Sequence, residues 1–472
     1  MKIETNRVSR REFIGSGCCA AVGATGLYSA LGSLRLMGAA AARPSTAQAI
    51  NADYKALICL YLHGGNDSNN LVIPLDSSNY SLYSAARSNL TLPRSGLLPI
   101  PTRLSDGRSW ALHAATPGFQ SLFLEGKAAI LANVGTLAYP TTKDQYTKGT
   151  VPLPKQLFSH SDQSIQWQTS VPDKASNTGW GGRLADLIDA LNGDHQISMS
   201  ISLAGANVFQ VGGNVSQYAV APGGAASFAG SLASPTSIDG VRFKAQKELF
   251  GRGLGNLFET AFNGISDGAT ADANFLISTL ASGPVVSTQF PNTTTGNQLK
   301  MIARLIAAAP TLNLRRQIFF LQLRGWDTHA GQLDNLTPTS GAHSALLSEI
   351  SNGVKAFYDA TVELGVSHQV TTFTASDFGR TFRSNGDGSD HGWGSHHFIV
   401  GGAVKGADIY GKMPDFVING MDDTGLGRWI PTTSVDEYAA TLATWFGVSA
   451  TDLPVVLPNI GRFKKSNLGF MV

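Results

Sequence analysis

Short apolar runs that stop abruptly at clusters of His, Asp and Gly recur along this chain, and helical patterns separate them. Ala56 to Leu62 (ALICLYL) runs straight into His63-Gly64-Gly65-Asn66-Asp67, and further runs of the same kind are Ala128 to Val134, Ile197 to Leu203, Gln317 to Leu323, Val370 to Ala375 and His397 to Gly401. Runs this short and this continuously apolar predict strands buried on both faces. Helical periodicity falls at Phe243 to Phe262, Asn274 to Leu280, Gln298 to Ala308 and Ser340 to Leu364, and Ser434-Val435-Asp436-Glu437 is a capping box opening a helix to Phe446. Strand and helix in alternation predict an α/β fold: three αβα layers with a mostly parallel central sheet, in one domain spanning residues 50–472. Gly213 to Gly240, rich in Gly, Ser, Ala and Pro, reads as a surface excursion, because strand and helix patterns resume beyond it.

Residues 1–49 read differently. Arg10-Arg11 precedes an apolar stretch, Ile14 to Met37, that is rich in Gly and Ala rather than Leu and Ile, and Ala47-Gln48-Ala49 offers small residues for cleavage. This is the pattern of a twin-arginine (Tat) signal peptide, with the Tat translocase as partner during export and a periplasmic or extracellular destination. The mild hydrophobicity argues against a stable membrane anchor, although the stretch is long enough to span a bilayer if it stays uncleaved. The leader holds six of the 35 basic residues and two of the 33 acidic ones, which leaves 29 against 31 beyond it. The formal charge of +2 therefore belongs to the leader, and no nucleic-acid partner is indicated. Cys18 and Cys19 lie in the leader, so Cys59 is left alone and the exported chain has no internal disulfide to lean on.

Chemistry-bearing residues gather where the strands end, which is where an open parallel sheet binds its ligands. Asp67 follows the first strand, Trp326-Asp327-Thr328-His329 follows Gln317 to Leu323, and Ser376-Asp377-Phe378-Gly379-Arg380 follows Val370 to Ala375. Asp390-His391-Gly392-Trp393-Gly394-Ser395-His396-His397 comes next. A mixed Asp/His set from distant parts of the chain suits one or two divalent metals of the zinc type better than an all-oxygen calcium site. Asp327 and His329 stand two apart and, in extended backbone, point to one side; His396 and His397 are adjacent and face opposite ways, so only one of them would reach a site. Asp67 could equally cap a helix, Asp377 could pair with Arg380, and His63 and His160 read as hydrogen-bonded supporting residues. Gly264-Ile265-Ser266-Asp267-Gly268 fits a serine-hydrolase elbow but follows a helical pattern rather than a strand.

The ordered segments Leu62 to Asp67, Phe158-Ser159-His160-Ser161-Asp162-Gln163, Thr178-Gly179-Trp180-Gly181-Gly182-Arg183, Gly325 to His329, Asp377 to Thr381, Asp390 to His397 and Tyr438 to Val448 resemble the exported family known as domain of unknown function 1501, which is similar to the alkaline phosphatase and sulfatase superfamily. The resemblance implies an alkaline-phosphatase-like three-layer domain with a metal site for hydrolysing phosphate or sulfate esters. It implies Asp67, Asp327, His329 and Asp377, with His391 or His396, as metal ligands, Ser159 as the nucleophile, and Arg380 or Arg183 as the residue that orients the anion. The implied cofactor is one or two divalent ions of the zinc type. Two departures stand out: the family usually has Glu where this chain has Asp377, and an aromatic residue where it has Ser161, so two serines compete for the nucleophile's role. No Cys-x-Pro/Ala-x-Arg stretch is present, which excludes a formylglycine sulfatase. The alternative is a secreted protein without catalysis that keeps the fold and a metal for stability or for binding a partner.

Overall fold

The computed structural model describes residues 50–472 apart from 51, 104–105, 229, 253–255, 335–336 and 338. Residues 1–49, read from the sequence as a Tat leader, lie outside the described residues. These form two compact units: Gly224–Ser282, and a larger one running from residue 50 to Gly223 and from Gly283 to Val472.

The larger unit is built on a nine-stranded sheet whose strands, in chain order, are β1 (Lys55–His63), β2 (Ala128–Gly135), β3 (Ser200–Ser202), β4 (Tyr218–Ala219), β5 (Arg316–Arg324), β6 (Val370–Ser376), β7 (Ser395–Gly401), β8 (Ile409–Gly411) and β9 (Thr433–Ser434). They lie in the order β8-β2-β7-β6-β1-β5-β3-β4, with β9 also on β2. Every pairing is parallel except those of β7, which runs antiparallel to both neighbours. The mostly parallel α/β sheet read from the sequence is the one observed. Its central strands are buried end to end, as their unbroken apolar runs require.

The helices are α1 (Ser77–Arg87), α2 (Pro117–Leu124), α3 (His160–Thr169), α4 (Trp180–Ile188), α5 (Ile238–Phe250), α6 (Leu257–Ser282), α7 (Thr294–Ala307), α8 (Ala342–Glu363) and α9 (Val435–Phe446). Strand β7 shows how they are shared between the faces. His397 meets Trp167 of α3, with ring centroids 4.8 Å apart, whereas Phe398 stacks on Phe119 of α2 at 4.2 Å. Successive strand residues point to opposite faces, so α3 and α2 cover opposite sides of the sheet. Helices α7 and α8 pack with α2 on its side, and α4 and α9 flank α3. Trp180, Phe209, Phe320, Phe373 and Tyr438 fill the α3 side, with Trp180 on Phe209 and Phe373 on Tyr438 edge to face. Each such side chain, fully buried, contributes about 1.5–3 kcal/mol. Cys59 is buried in mid-β1 as a free thiol, and burial pushes its pKa up, so it behaves as core rather than as a reactive group.

The smaller unit holds α5 and α6. The sequence suggested one helix from Phe243 to Phe262 and a second from Asn274 to Leu280. The chain instead breaks at Gly251, the C-cap of α5, and then runs unbroken from Leu257 to Ser282. Gly264 to Gly268 therefore lies in mid-helix, with the Ser266 carbonyl accepting the Thr270 hydroxyl at 2.7 Å, which removes the elbow reading. Among the described residues no helix is long and apolar enough to cross a membrane.

Strands β1 and β5 are in register from Lys55 opposite Arg316 to His63 opposite Arg324. The chain leaves β1 through Gly64 at φ +123°, where an added Cβ would stand 2.5 Å from the backbone nitrogen of Asp327. Only glycine allows both the conformation and that approach. Gly64→Ala is expected to destabilise the fold by about 3 kcal/mol, from the disallowed φ and the displaced Asp327 backbone together. Urea unfolding of the variant beside the parent checks this, and an unchanged midpoint would refute it.

Candidate functional site

The carboxyl ends of β6, β1 and β5 lie side by side, and four polar segments meet there. Strand β5 leads through Gly325, at φ +104°, and buried Trp326 to Asp327 and His329. Strand β6 delivers Asp377. An antiparallel ribbon, Arg380–Ser384 with Ser389–His391, pairs Arg380 with His391. Helix α3 begins at His160.

One atom sits at the centre of this group. Asp327 Oδ1 lies 3.1 Å from His329 Nε2, 3.3 Å from His160 Nε2, 3.4 Å from His391 Nε2 and 2.6 Å from Arg380 Nη1. The other nitrogen of each imidazole is held from behind. His160 Nδ1 donates to Asp377 Oδ2 at 2.7 Å, His329 Nδ1 to Asp390 Oδ1 at 2.9 Å, and His391 Nδ1 to the Phe158 carbonyl at 2.7 Å. With those acceptors a ring, when neutral, carries its proton on Nδ1 and turns a lone pair on Nε2 toward Asp327. His329 Nε2 and His391 Nε2 are only 2.8 Å apart. The nitrogens of a tetrahedral zinc site, with bonds near 2.05 Å, stand about 3.3 Å from one another, and these separations fall close to that value. His160, Asp327 and His391 offer ligand atoms that all lie within 4.8 Å of one another, and His329 touches both Asp327 and His391. The side chains thus could hold a metal ion.

The electrostatics follow from these contacts. Burial pushes the Asp327 carboxyl up, but the hydrogen bond and charge of Arg380 outweigh it and hold the pKa below the usual value. The hydrogen bond to Asp377 raises His160, and burial lowers His391.

Of the residues singled out from the sequence, Asp327, His329, His391, Asp377 and Arg380 are brought together. Asp377 reaches the group through the Nδ1 of His160. Arg380 is buried with Nη1 on Asp327 and on the Gly64 carbonyl at 3.2 Å and Nη2 on the Ser389 carbonyl, while its Nε is buried without a partner. Asp67 is fully buried against Arg87 and Gln332, and that pairing holds its carboxyl below the usual pKa against the opposing effect of burial. His396 Nδ1 accepts the Asn133 N–H at 3.0 Å, and burial lowers its pKa to about 3, so it is neutral. Arg183 spends its guanidinium on the carbonyls of Thr178, Thr169 and Val456. Ser159 is the N-cap residue of α3, yet its side chain makes no bond to the helix's own N–H groups. Its hydroxyl donates to Asp162 Oδ2 at 2.7 Å and lies 3.1 Å from Ser161 Oγ.

Sequence reasoning left His160 among the supporting residues and did not single out Asp390 as a partner. The signals for His160 in the sequence are its place beside Ser159 at a helix start and in the segment Phe158 to Gln163 that carries the family resemblance.

Three solved structures illustrate what the chain is similar to. The PsFucS1 sulfatase from Pseudoalteromonas sp. aligns at 12% identity over 91% of this chain and 73% of that chain, with a TM-score of 0.34. The soluble domain of lipooligosaccharide phosphoethanolamine transferase A from Neisseria meningitidis aligns at 8% identity over 87% and 95%, with a TM-score of 0.30. A mutant of the alkaline phosphatase PafA aligns at 10% identity over 70% and 63%, with a TM-score of 0.28. No curated protein sequence matches the chain. The stretch that carries Asp327, His329, Asp377, Arg380, Asp390, His391 and His396 matches, over residues 283–427, the model of the family described as "Protein of unknown function (DUF1501)".

Proposed function

We propose that this chain is an exported, metal-dependent hydrolase of phosphate or sulfate esters, in which Asp327, His160, His329 and His391 hold a divalent ion of the zinc type. The observation that carries this reading is the orientation of the three imidazoles. Each is tied through Nδ1 to a separate acceptor, and each aims Nε2 at one carboxylate oxygen. Outer acceptors that fix the tautomer are what histidine ligands of metals ordinarily have. In this reading Asp377 and Asp390 orient ligands, Asp67 serves the Arg87 ion pair, and His396 serves Asn133.

A bound divalent ion supplies positive charge that activates a hydroxyl and offsets the charge developing on a phosphoryl or sulfuryl group. The chain's own part is positioning. Ser159, the proposed nucleophile, follows Phe158, whose backbone stands at φ +71° while its carbonyl holds His391. The Ser159 hydroxyl is not engaged as a helix cap, and Asp162 holds its hydrogen. The start of α3 adds the positive end of a helix dipole beside that oxygen.

Asp327→Ala combined with His329→Ala is expected to strip the bound metal and lower the melting temperature, since the remaining imidazoles lose the carboxylate they face. Elemental analysis together with a thermal melt reads both effects. Equal metal and an equal melting point in the variant would remove these residues as ligands.

Ser159→Ala should lose several orders of magnitude in ester hydrolysis while keeping its metal. Loss of only about 1 kcal/mol of stability, with turnover intact, is what a cap residue would give instead. Mass spectrometry of vanadate- or substrate-treated protein then locates the adduct, and an adduct on Ser161 would move the nucleophile there.

Export is part of the proposal and rests on Arg10-Arg11 and the apolar stretch behind them. Replacing both arginines by Lys should leave precursor in the cytoplasm on cell fractionation. Normal export of that variant would exclude the Tat route.

A further inference from the structure

An enzyme that takes an anionic ester needs a cation with free donors at the site, and both arginines read from the sequence have both Nη atoms on protein acceptors, the unpartnered Nε of Arg380 being buried. Arg183 is bonded to three backbone carbonyls, and Arg380 to Asp327 and two carbonyls. Arg428 is not. Its Nε donates to the His391 carbonyl at 2.8 Å, and its guanidinium lies over the Phe158 ring at 4.9 Å from the centroid. Neither Nη has a hydrogen bond or ion pair among the described residues, and the side chain is half-buried.

The placement is fixed from both directions. His391 gives its carbonyl to Arg428 and its imidazole to the Asp327 group. Phe158 gives its ring to Arg428 and its carbonyl to His391, and Ser159 is the next residue. The loop that carries Arg428 is a narrow turn closed by the Asp423–Trp429 bridge. The Arg428 N–H donates to the Gly425 carbonyl at 3.2 Å, and the Thr424 N–H donates to the Arg428 carbonyl at 3.1 Å. The turn is pinned to the ribbon by the Phe382 and Arg383 N–H groups, which donate to the carbonyls of Gly427 and Leu426 at 3.1 and 3.0 Å. Gly427, at φ +74°, lies so close to Phe382 that an added Cβ would be 2.2 Å from the Phe382 Cβ. The guanidinium is therefore held in place before any ligand arrives, and holding a donor in advance lowers the cost of binding.

Resting on the hydrolase reading above, we propose that Arg428 is the residue that binds the tetrahedral oxyanion of the substrate, its two free Nη donors forming a fork for two oxygens of a phosphoryl or sulfuryl group. A guanidinium matches two oxygens of such a group in a way that a lysine ammonium does not. Besides Arg428 the rim carries Asp377 and Asp390 behind the imidazoles and Asp162 on Ser159, with the Arg380 charge already opposed by Asp327, so among the described residues there Arg428 is the side-chain cation with donors left for an anion.

The test titrates inorganic phosphate, and separately inorganic sulfate, into the metal-loaded parent, Arg428→Lys and Arg428→Ala, by calorimetry. Arg428→Ala is expected to bind the preferred anion at least about tenfold more weakly, with Arg428→Lys in between, since a charge-assisted pair is lost or reduced to a point charge. The metal content of the variants should equal that of the parent, and in ester hydrolysis KM should rise by more than kcat falls. The anion that shows the loss names the substrate class. An Arg428→Ala protein with the parent's affinity for both anions would overturn the proposal, as would a metal-loaded parent that binds neither. Elemental analysis of the parent in the same samples separates failure of the metal centre from failure of the arginine.

Discussion

Arg380 is the pivot of the strand-end architecture. Its guanidinium is almost wholly buried and bonded at once to the Gly64 carbonyl after β1, the Asp327 carboxylate after β5 and the Ser389 carbonyl of the returning ribbon strand. A buried charge without partners costs several kcal/mol, so these contacts are obligatory rather than decorative. Meeting them forces three segments, distant in sequence, into one arrangement. It also fixes which oxygen of Asp327 faces the imidazoles, because the atom bonded to Arg380 is the one the three Nε2 atoms approach. A second buried pair, Arg87 with Asp67, braces the same ribbon from below, where Arg87 also donates to the carbonyls of Thr381 and Phe382 at 3.1 Å.

That arrangement leaves an electrostatic imbalance with a specific remedy. Asp377, Asp390 and the Phe158 carbonyl act as acceptors on one side of the three rings, and the other side presents lone pairs. Two of those lone pairs, on His329 and His391, are 2.8 Å apart and repel unless positive charge lies between them. A proton shared between the rings would relieve only that one contact. The divalent ion proposed above would satisfy every Nε2 and the Asp327 oxygen together.

Much of this is readable in the sequence alone. Buried parallel strands announce themselves as unbroken apolar runs, so six strands were placed to within a few residues. The two-residue spacing of Asp327 and His329 and the opposed faces of His396 and His397 follow from strand geometry alone. What could not be read was pairing between distant segments. Asp67 looked like a strand-end ligand because its partner, Arg87, comes from a helix twenty positions on whose sequence gives no hint that it is buried. His160 was undervalued for the converse reason, since its role depends on Asp377, 217 residues away, which holds its Nδ1. Arg380 and Arg183 have the right charge, but only the fold reveals that protein oxygens already hold their Nη groups.

The rim shows where the fold accepts strain and what it gains. Phe158 occupies left-handed backbone without being glycine, at a cost on the order of 1–3 kcal/mol. The conformation is held by the Phe158 N–H donating to Gln163 Oε1 at 2.8 Å, and Gln163 is itself buried in α3. The same twist turns the Phe158 carbonyl onto His391 and its ring under Arg428, and it leads the chain into Ser159 at the head of α3. Relaxing Phe158 to ordinary backbone would loosen all three together. A mostly parallel sheet of this kind can serve many chemistries, so the identity of the reaction resides in these few rim residues and not in the strands beneath them.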